Sequence, residues 1–176
     1  MRGALAKCRL PAYNEKKGGM ALKTVILSGS PHPGGASETL AKEKFPAGEL
    51  IRIYDKNILP CRGCGACEKS GVCPQRDDFA AVLRALDGAD DIVLCYPVYF
   101  DSFPAPMKAF IDRLHARYRA TYAKGNEVPK RGGRGHVVLT CGADYEPPVP
   151  ERTLRHIFNL FGLERGETYL KKGTDL

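Results

Sequence analysis

From residue 20 onward the apolar positions follow two spacings that take turns along the chain. Continuous β-branched or apolar runs occupy "KTVILSGS" (23–30), "LIRIYD" (50–55), "DIVLCYP" (91–97), "HVVLTCG" (136–142) and, more weakly, "ETYL" (167–170). Short, uniformly apolar runs are the pattern of parallel strands buried on both faces. Between them the apolar residues open out to a helical period. Phe79, Val82, Leu83 and Leu86 form an i, i+3, i+4, i+7 stripe behind Asp77 and Asp78, and Met107, Phe110, Ile111 and Leu114 form a second after Pro104 and Pro106. Leu154, Ile157, Phe158 and Phe161 form a third, closed by Gly162. A shorter first helix is expected from about Ser37 through "SETLAKEKF", stopping at Pro46. The order βαβαβαβαβ predicts an α/β fold, a doubly wound five-stranded parallel sheet.

Such sheets bind ligands beyond the carboxyl ends of their strands, near the point where strand order reverses. Three strand ends are chemically distinctive and should meet there: "SGSPHPGGASETL", "YPVYFDSFPAP" and "TCGADYEPP". The first is a Gly-, Pro- and Ser-rich turn into a helix, whose amides and the hydroxyls of Ser30, Ser37 and Thr39 suit a phosphate. It lacks the lysine of a nucleotide-triphosphate loop, and an ordinary strand-to-helix turn would look much the same. The second sets Tyr96, Tyr99, Phe100 and Phe103 beside prolines, which gives a flat apolar wall or simple packing. Phosphate loop and aromatic wall at one edge favour a single ligand carrying both a phosphate and a planar heterocycle.

Composition narrows the reading. The chain has 176 residues, 43% of them hydrophobic, enough for one domain with a sizeable core. It has neither a run of membrane-span length nor a leader pattern, so a cytoplasmic protein without membrane contact is expected. Its net charge is +7, but residues 1–19 hold five basic side chains against Glu15; +4 lies there and +3 remains for the body. That distribution argues against a nucleic-acid partner. Residues 1–19 read as a tail or the product of an upstream start, with Cys8 in it, and residues 20–176 as the folded domain. "KRGGRGH" (130–136), a single copy leading into a strand, reads as a basic turn, with Arg131 and Arg134 as candidates to hold a nicotinamide phosphate. Asp112 and His115, one turn apart, read as a solvated helical face.

Four of the seven cysteines, Cys61, Cys64, Cys67 and Cys73, fall within "CRGCGACEKSGVC". An odd total and a reducing compartment disfavour disulfides. The spacing C-x2-C-x2-C-x5-C is close to the compact thiolate run that holds a [4Fe-4S] cluster. Zinc usually pairs two C-x2-C knuckles across a longer spacer. Cys95 and Cys141, inside strand patterns, read as small hydrophobes.

Taken together, "SGSPHPGGASETL", "ILPCRGCGACEKSGVCPQRDDF" and "YPVYFDSFPAPMKAFIDR" resemble the flavodoxin-like NAD(P)H-dependent FMN reductases, in their iron-sulfur flavoprotein branch, over roughly residues 23–142. The resemblance implies sheet order 2-1-3-4-5, bound FMN with NAD(P)H as cosubstrate, and a dimer or tetramer. It places the FMN phosphate on Ser30, His32, Ser37, Glu38 and Thr39, the last three partly through backbone N–H groups. Pro97, Val98, Tyr99 and Phe100 would line the ribityl chain and ring, with Cys141 and Gly142 approaching from the fourth strand. His32 stands where relatives usually carry arginine, and Asp101 where glycine is usual. The four clustered cysteines match the branch's cluster motif, although relatives with the same "PCRGCGAC" opening are also handled as plain flavin reductases.

The implied function is transfer of electrons from a nicotinamide through FMN to a small-molecule or protein acceptor that the sequence does not name. No side chain is assigned a catalytic acid or base role, because the cofactor carries the chemistry. The alternative is a flavodoxin-like electron carrier without turnover. Relatives continue past the fifth strand into a final helix, whereas here "GETYLKKGTDL" ends the sequence. With a first helix contributing little beyond Leu40 and Phe45, one sheet face is expected to be bare and covered by a partner subunit or the tail, unless the chain is a truncated gene product.

Overall fold

The apolar runs lie side by side as five parallel strands: β1 (Thr24–Ser28), β2 (Glu49–Arg52), β3 (Asp91–Pro97), β4 (Arg134–Thr140) and β5 (Glu164–Lys171). Their order is β2-β1-β3-β4-β5, the order that the resemblance implies. The structure, a computed structural model, describes residues 22–122, 125, 127–142, 144 and 146–174. The expected tail, residues 1–19 with Cys8, lies outside the described residues.

Among the described residues, six α-helices connect and cover the strands: α1 (Ala36–Lys44), α2 (Ala66–Ser70), α3 (Phe79–Asp87), α4 (Ala105–Arg113), α5 (His115–Thr121) and α6 (Glu151–Leu160). The three stripes read from the sequence become the buried faces of α3, α4 and α6. They pack with Val25, Leu27, Ile92, Leu94, Val137 and Leu139, the alternate residues on one face of β1, β3 and β4. Gly135 lets α6 approach, since a Cβ there would lie 2.0 Å from the Phe158 ring.

Three elements differ from expectation. The second strand ends at Arg52, and Ile53–Asp55 form a 3-10 turn that swings the chain off the sheet toward the cysteines. The stripe ending at Leu114 belongs to a helix that closes there with a tightened Leu114 N–H to Ile111 bond. A new turn then starts from the Leu114 carbonyl to make α5. α2 is a single turn between Gly65 (φ 70°) and Gly71 (φ 75°), too short to show a period.

The expected bare face is filled. α1 lies across it over Ile26, Val93, Cys95 and Val138, none of which is exposed, and Ala41 joins Leu40 and Phe45 in the contact. Toward β5 the Phe45 ring sits 4.9 Å from His136 and 5.9 Å from Tyr169. Among the described residues no helix follows β5. No helix among them is long and apolar enough to cross a membrane.

Candidate functional site

The β1–α1 turn is shaped from below by one buried carboxylate. Glu38 accepts the Ser28 hydroxyl (2.6 Å), the Gly34 N–H (2.8 Å) and Arg52 Nε (2.8 Å). Arg52, reaching over from β2, also donates to the carbonyls of Ser30 and Pro31 at 3.3 and 3.4 Å and pairs with Asp55. Burial alone would raise the Glu38 carboxyl. The Ser28 hydroxyl, Arg52 and Gly34 outweigh it and hold the group below its ordinary value. Gly34, at φ 67°, makes the turn that brings its amide onto Glu38.

Above this brace the loop closes on itself. The Ser30 hydroxyl donates to the His32 carbonyl (3.0 Å) and accepts the His32 N–H (3.2 Å). The first helical bond of α1 joins Thr39 N–H to Gly35 O (2.9 Å), and no side chain caps the helix. The amides of Ala36 and Ser37, which precede that bond, have no acceptor one turn back. They and the positive end of the helix dipole form an anion cradle.

The cradle opens into a cavity of about 230 Å³ at the carboxyl ends of β1, β3 and β4. Ser30, His32, Ser37, Pro97, Val98, Tyr99, Cys141 and Gly142 line it, eight of the residues read from the sequence. The other three lie elsewhere. Glu38 is buried beneath the loop as its brace, and Thr39 faces away, its hydroxyl on the Gly34 carbonyl (3.1 Å). Phe100 projects fully into solvent from the turn closed by Tyr99 and Ser102, in which Phe100 (φ 48°) and Asp101 (φ 56°) both adopt left-handed backbone. Ring contact by Phe100 from inside the cavity is therefore absent in this conformation. Gly35, Ala36, Thr140 and Thr174 complete the lining. Thr174 reaches it because its N–H and hydroxyl both donate to the Cys141 carbonyl at 3.1 Å. No local motif marks that return.

Arg131 and Arg134 are placed at the opposite edge. Arg134 begins β4 and its N–H donates to Asp91, while the Arg131 guanidinium donates to the carbonyls of Leu86 and Ala89. Six residues of strand at about 3.3 Å each put roughly 20 Å between Arg134 and Thr140. The proposed grip on a nicotinamide phosphate at the cavity is thus corrected. Asp112 pairs with Lys108 (2.5 Å) on an exposed part of α4.

The cysteine segment follows the 3-10 turn. Cys61, Cys64, Cys67 and Cys73 all line a second cavity of about 110 Å³, closed by Arg113 of α4 and by His115 and Ala116 of α5. The segment is fastened at its ends. Asp77 accepts the N–H groups of Leu59 (2.9 Å) and Phe79 (3.2 Å) and an Arg113 nitrogen. The other Arg113 terminal nitrogen lies 3.4 Å from the Cys73 sulfur. Burial by itself would raise the Cys73 thiol, but the Gln75 amide and Arg113 bring it below its ordinary value. The Cys67 thiol is pushed up, by burial first and then by the neighbouring Cys73, Cys61 and Cys64. Among the described residues no three His, Cys, Asp or Glu side chains are drawn tightly enough to grip a metal ion as they stand. Cys95 is buried under α1, its thiol pushed up to about 12 by desolvation. Tyr54, in the 3-10 turn, has its phenol raised by burial and then by Tyr99.

Residues 22–164 match the NADPH-dependent FMN reductase family, and the chain belongs to it. An iron-sulfur flavoprotein of Methanocaldococcus jannaschii is 37% identical over 99 residues, 52% of this chain and 51% of that protein. An iron-sulfur flavoprotein of Methanosarcina thermophila is 32% identical over 114 residues, 61% of this chain and 60% of that one. The chain thus matches only about half to three fifths of the length of these curated relatives. An FMN-dependent NADH-azoreductase from Bacillus anthracis, solved with FMN, superposes with a TM-score of 0.64 at 18% identity, covering 86% of this chain and 88% of that one. That likeness establishes the fold.

Proposed function

We propose that the protein is an FMN-dependent NAD(P)H oxidoreductase in which the four clustered cysteines hold a [4Fe-4S] cluster that relays electrons onward. The observation that carries the flavin reading is the first cavity. It joins a helix N-terminus with unpaired amides to a wall of Pro97, Val98 and Tyr99 and to the Thr140–Gly142 turn. The residues present fit FMN: amides and Ser37 for the phosphate, His32 at the same end, and the apolar β3 turn with Cys141 for the ring. Bound there, FMN would supply a ring able to take hydride from a nicotinamide and pass electrons on. The chain's part is to fix the phosphate end through the Glu38–Arg52 brace.

The cluster reading is supported by four thiols on one cavity, with a buried cation at one of them, and by the names of the relatives. The sulfurs would converge on binding, as ligand sets commonly do. Protein purified without air tests both parts. A flavin spectrum, iron and sulfide in near-equal amounts, and steady turnover of NADH or NADPH are expected. Flavin without turnover would point to an electron carrier, and colourless protein would overturn the reading. Light scattering on the same sample reads the dimer or tetramer that the resemblance implies.

A further inference from the structure

We propose, on the cluster reading above, that Arg113 raises the reduction potential of the cluster through an N–H···S bond to Cys73. Arg113 ends α4 with its side chain 1% exposed, and Asp77 opposite it is fully buried. Its guanidinium lies 4.3 Å above the Phe79 ring. One terminal nitrogen serves Asp77 and the Leu59 carbonyl (3.2 Å), the other the Cys73 sulfur at 3.4 Å.

A structural role accounts for half of this geometry. The Asp77 pair alone fastens Leu59 and Phe79, at the two ends of the segment, to α4. It does not require the second nitrogen to face sulfur. Among the described residues, Cys73 is the member of the four whose sulfur is paired with a charged donor. The positive fork of Arg113 is the nearer partner to that sulfur, and the Asp77 carboxylate lies behind it.

Reduction adds negative charge to a cluster and its sulfurs. Hydrogen bonds to those sulfurs, and a cation in a site shielded from water, stabilise the reduced state and move the potential upward. Arg113 is therefore a positioning and tuning residue. It does not touch the flavin cavity, and nothing in the role asks it to move a proton.

The two members of the pair act in opposite directions, which gives the test its sign. Arg113→Lys keeps a positive charge for Asp77 but loses the planar fork that reaches sulfur, so the potential should fall. Asp77→Asn removes the negative charge and keeps the nitrogen on Cys73, so the potential should rise. The measurement is an EPR-monitored redox titration of the full chain purified without air. A fall in the first variant with a rise in the second supports the role; potentials that stay put or move together overturn it.

If either variant loses iron, wild-type protein labelled with 15N-arginine decides. The reduced cluster should show an arginine-nitrogen coupling in electron-nuclear double resonance that persists in Arg62→Lys, and its absence overturns the role. Wild-type protein without iron or sulfide would instead remove the cluster reading, and this inference with it.

Discussion

The two candidate sites are held by the same device and differ in what it holds. At each, a buried carboxylate accepts a backbone amide and an arginine from a neighbouring element: Glu38 with Gly34 and Arg52, Asp77 with Leu59, Phe79 and Arg113. Glu38 sits under a short loop whose donors are amides, so the path of the chain already sets the anion cradle. Asp77 pins only the ends of a longer segment whose donors are thiols on side chains. The donors of the first are already set by the backbone, whereas the second gathers its donors without closing them.

The strongest way to break this comparison is to delete each carboxylate. Glu38→Ala leaves the Ser28 hydroxyl, the Gly34 amide and Arg52 without their partner, and should cost about 3 kcal/mol in urea unfolding and weaken FMN at least about tenfold. Asp77→Ala should cost about as much yet leave the FMN dissociation constant near the wild-type value. Equal loss of FMN in both would mean that the sites are not separately braced.

A chemical cut should divide them in the same way. Cys64→Ser is expected to abolish iron incorporation while fluorescence titration still finds FMN bound. Loss of both cofactors would make the cluster part of the flavin fold. Acid adds a third separation. Both carboxyls are held below ordinary values of 4.5 for Glu38 and 3.8 for Asp77. Their stabilisation is complete above those values and fades as pH drops through the lowered folded ones. FMN release on acidification should begin below about pH 4.5, and Glu38→Gln should remove that step from the fluorescence profile.

The smallest effect concerns the Phe100 turn. Its ring is fully exposed and its backbone left-handed, a conformation that asparagine accepts more readily. Phe100→Asn should raise stability by about 0.5–1 kcal/mol, read as a higher Tm. A fall would show that the ring has a contact to lose.

Much of the fold was legible because its signals are local: five apolar runs, three helical stripes and a loop rich in Gly and Pro. Their strand order came from family resemblance, since a parallel sheet leaves its sequence of pairings unmarked. Most residues of the candidate flavin cavity could be named for the same reason, lying at a strand end or in the turn that follows it. What failed depended on phase. Whether Thr39 faces the cradle turns on which residue accepts the first helical bond, and whether Phe100 points in or out turns on two φ angles. The bare face was misjudged because Phe45, His136 and Tyr169 come from three distant segments, and composition does not reveal that they meet.

The bonds from Thr174 to the Cys141 carbonyl bear on how the protein should be handled at the bench. A fusion partner or affinity tag added after Leu176 would be separated from Thr174 by two residues. A long cleavable spacer keeps the engineering away from the candidate flavin cavity. A preparation that comes off a column colourless should first be compared with one tagged at the other end.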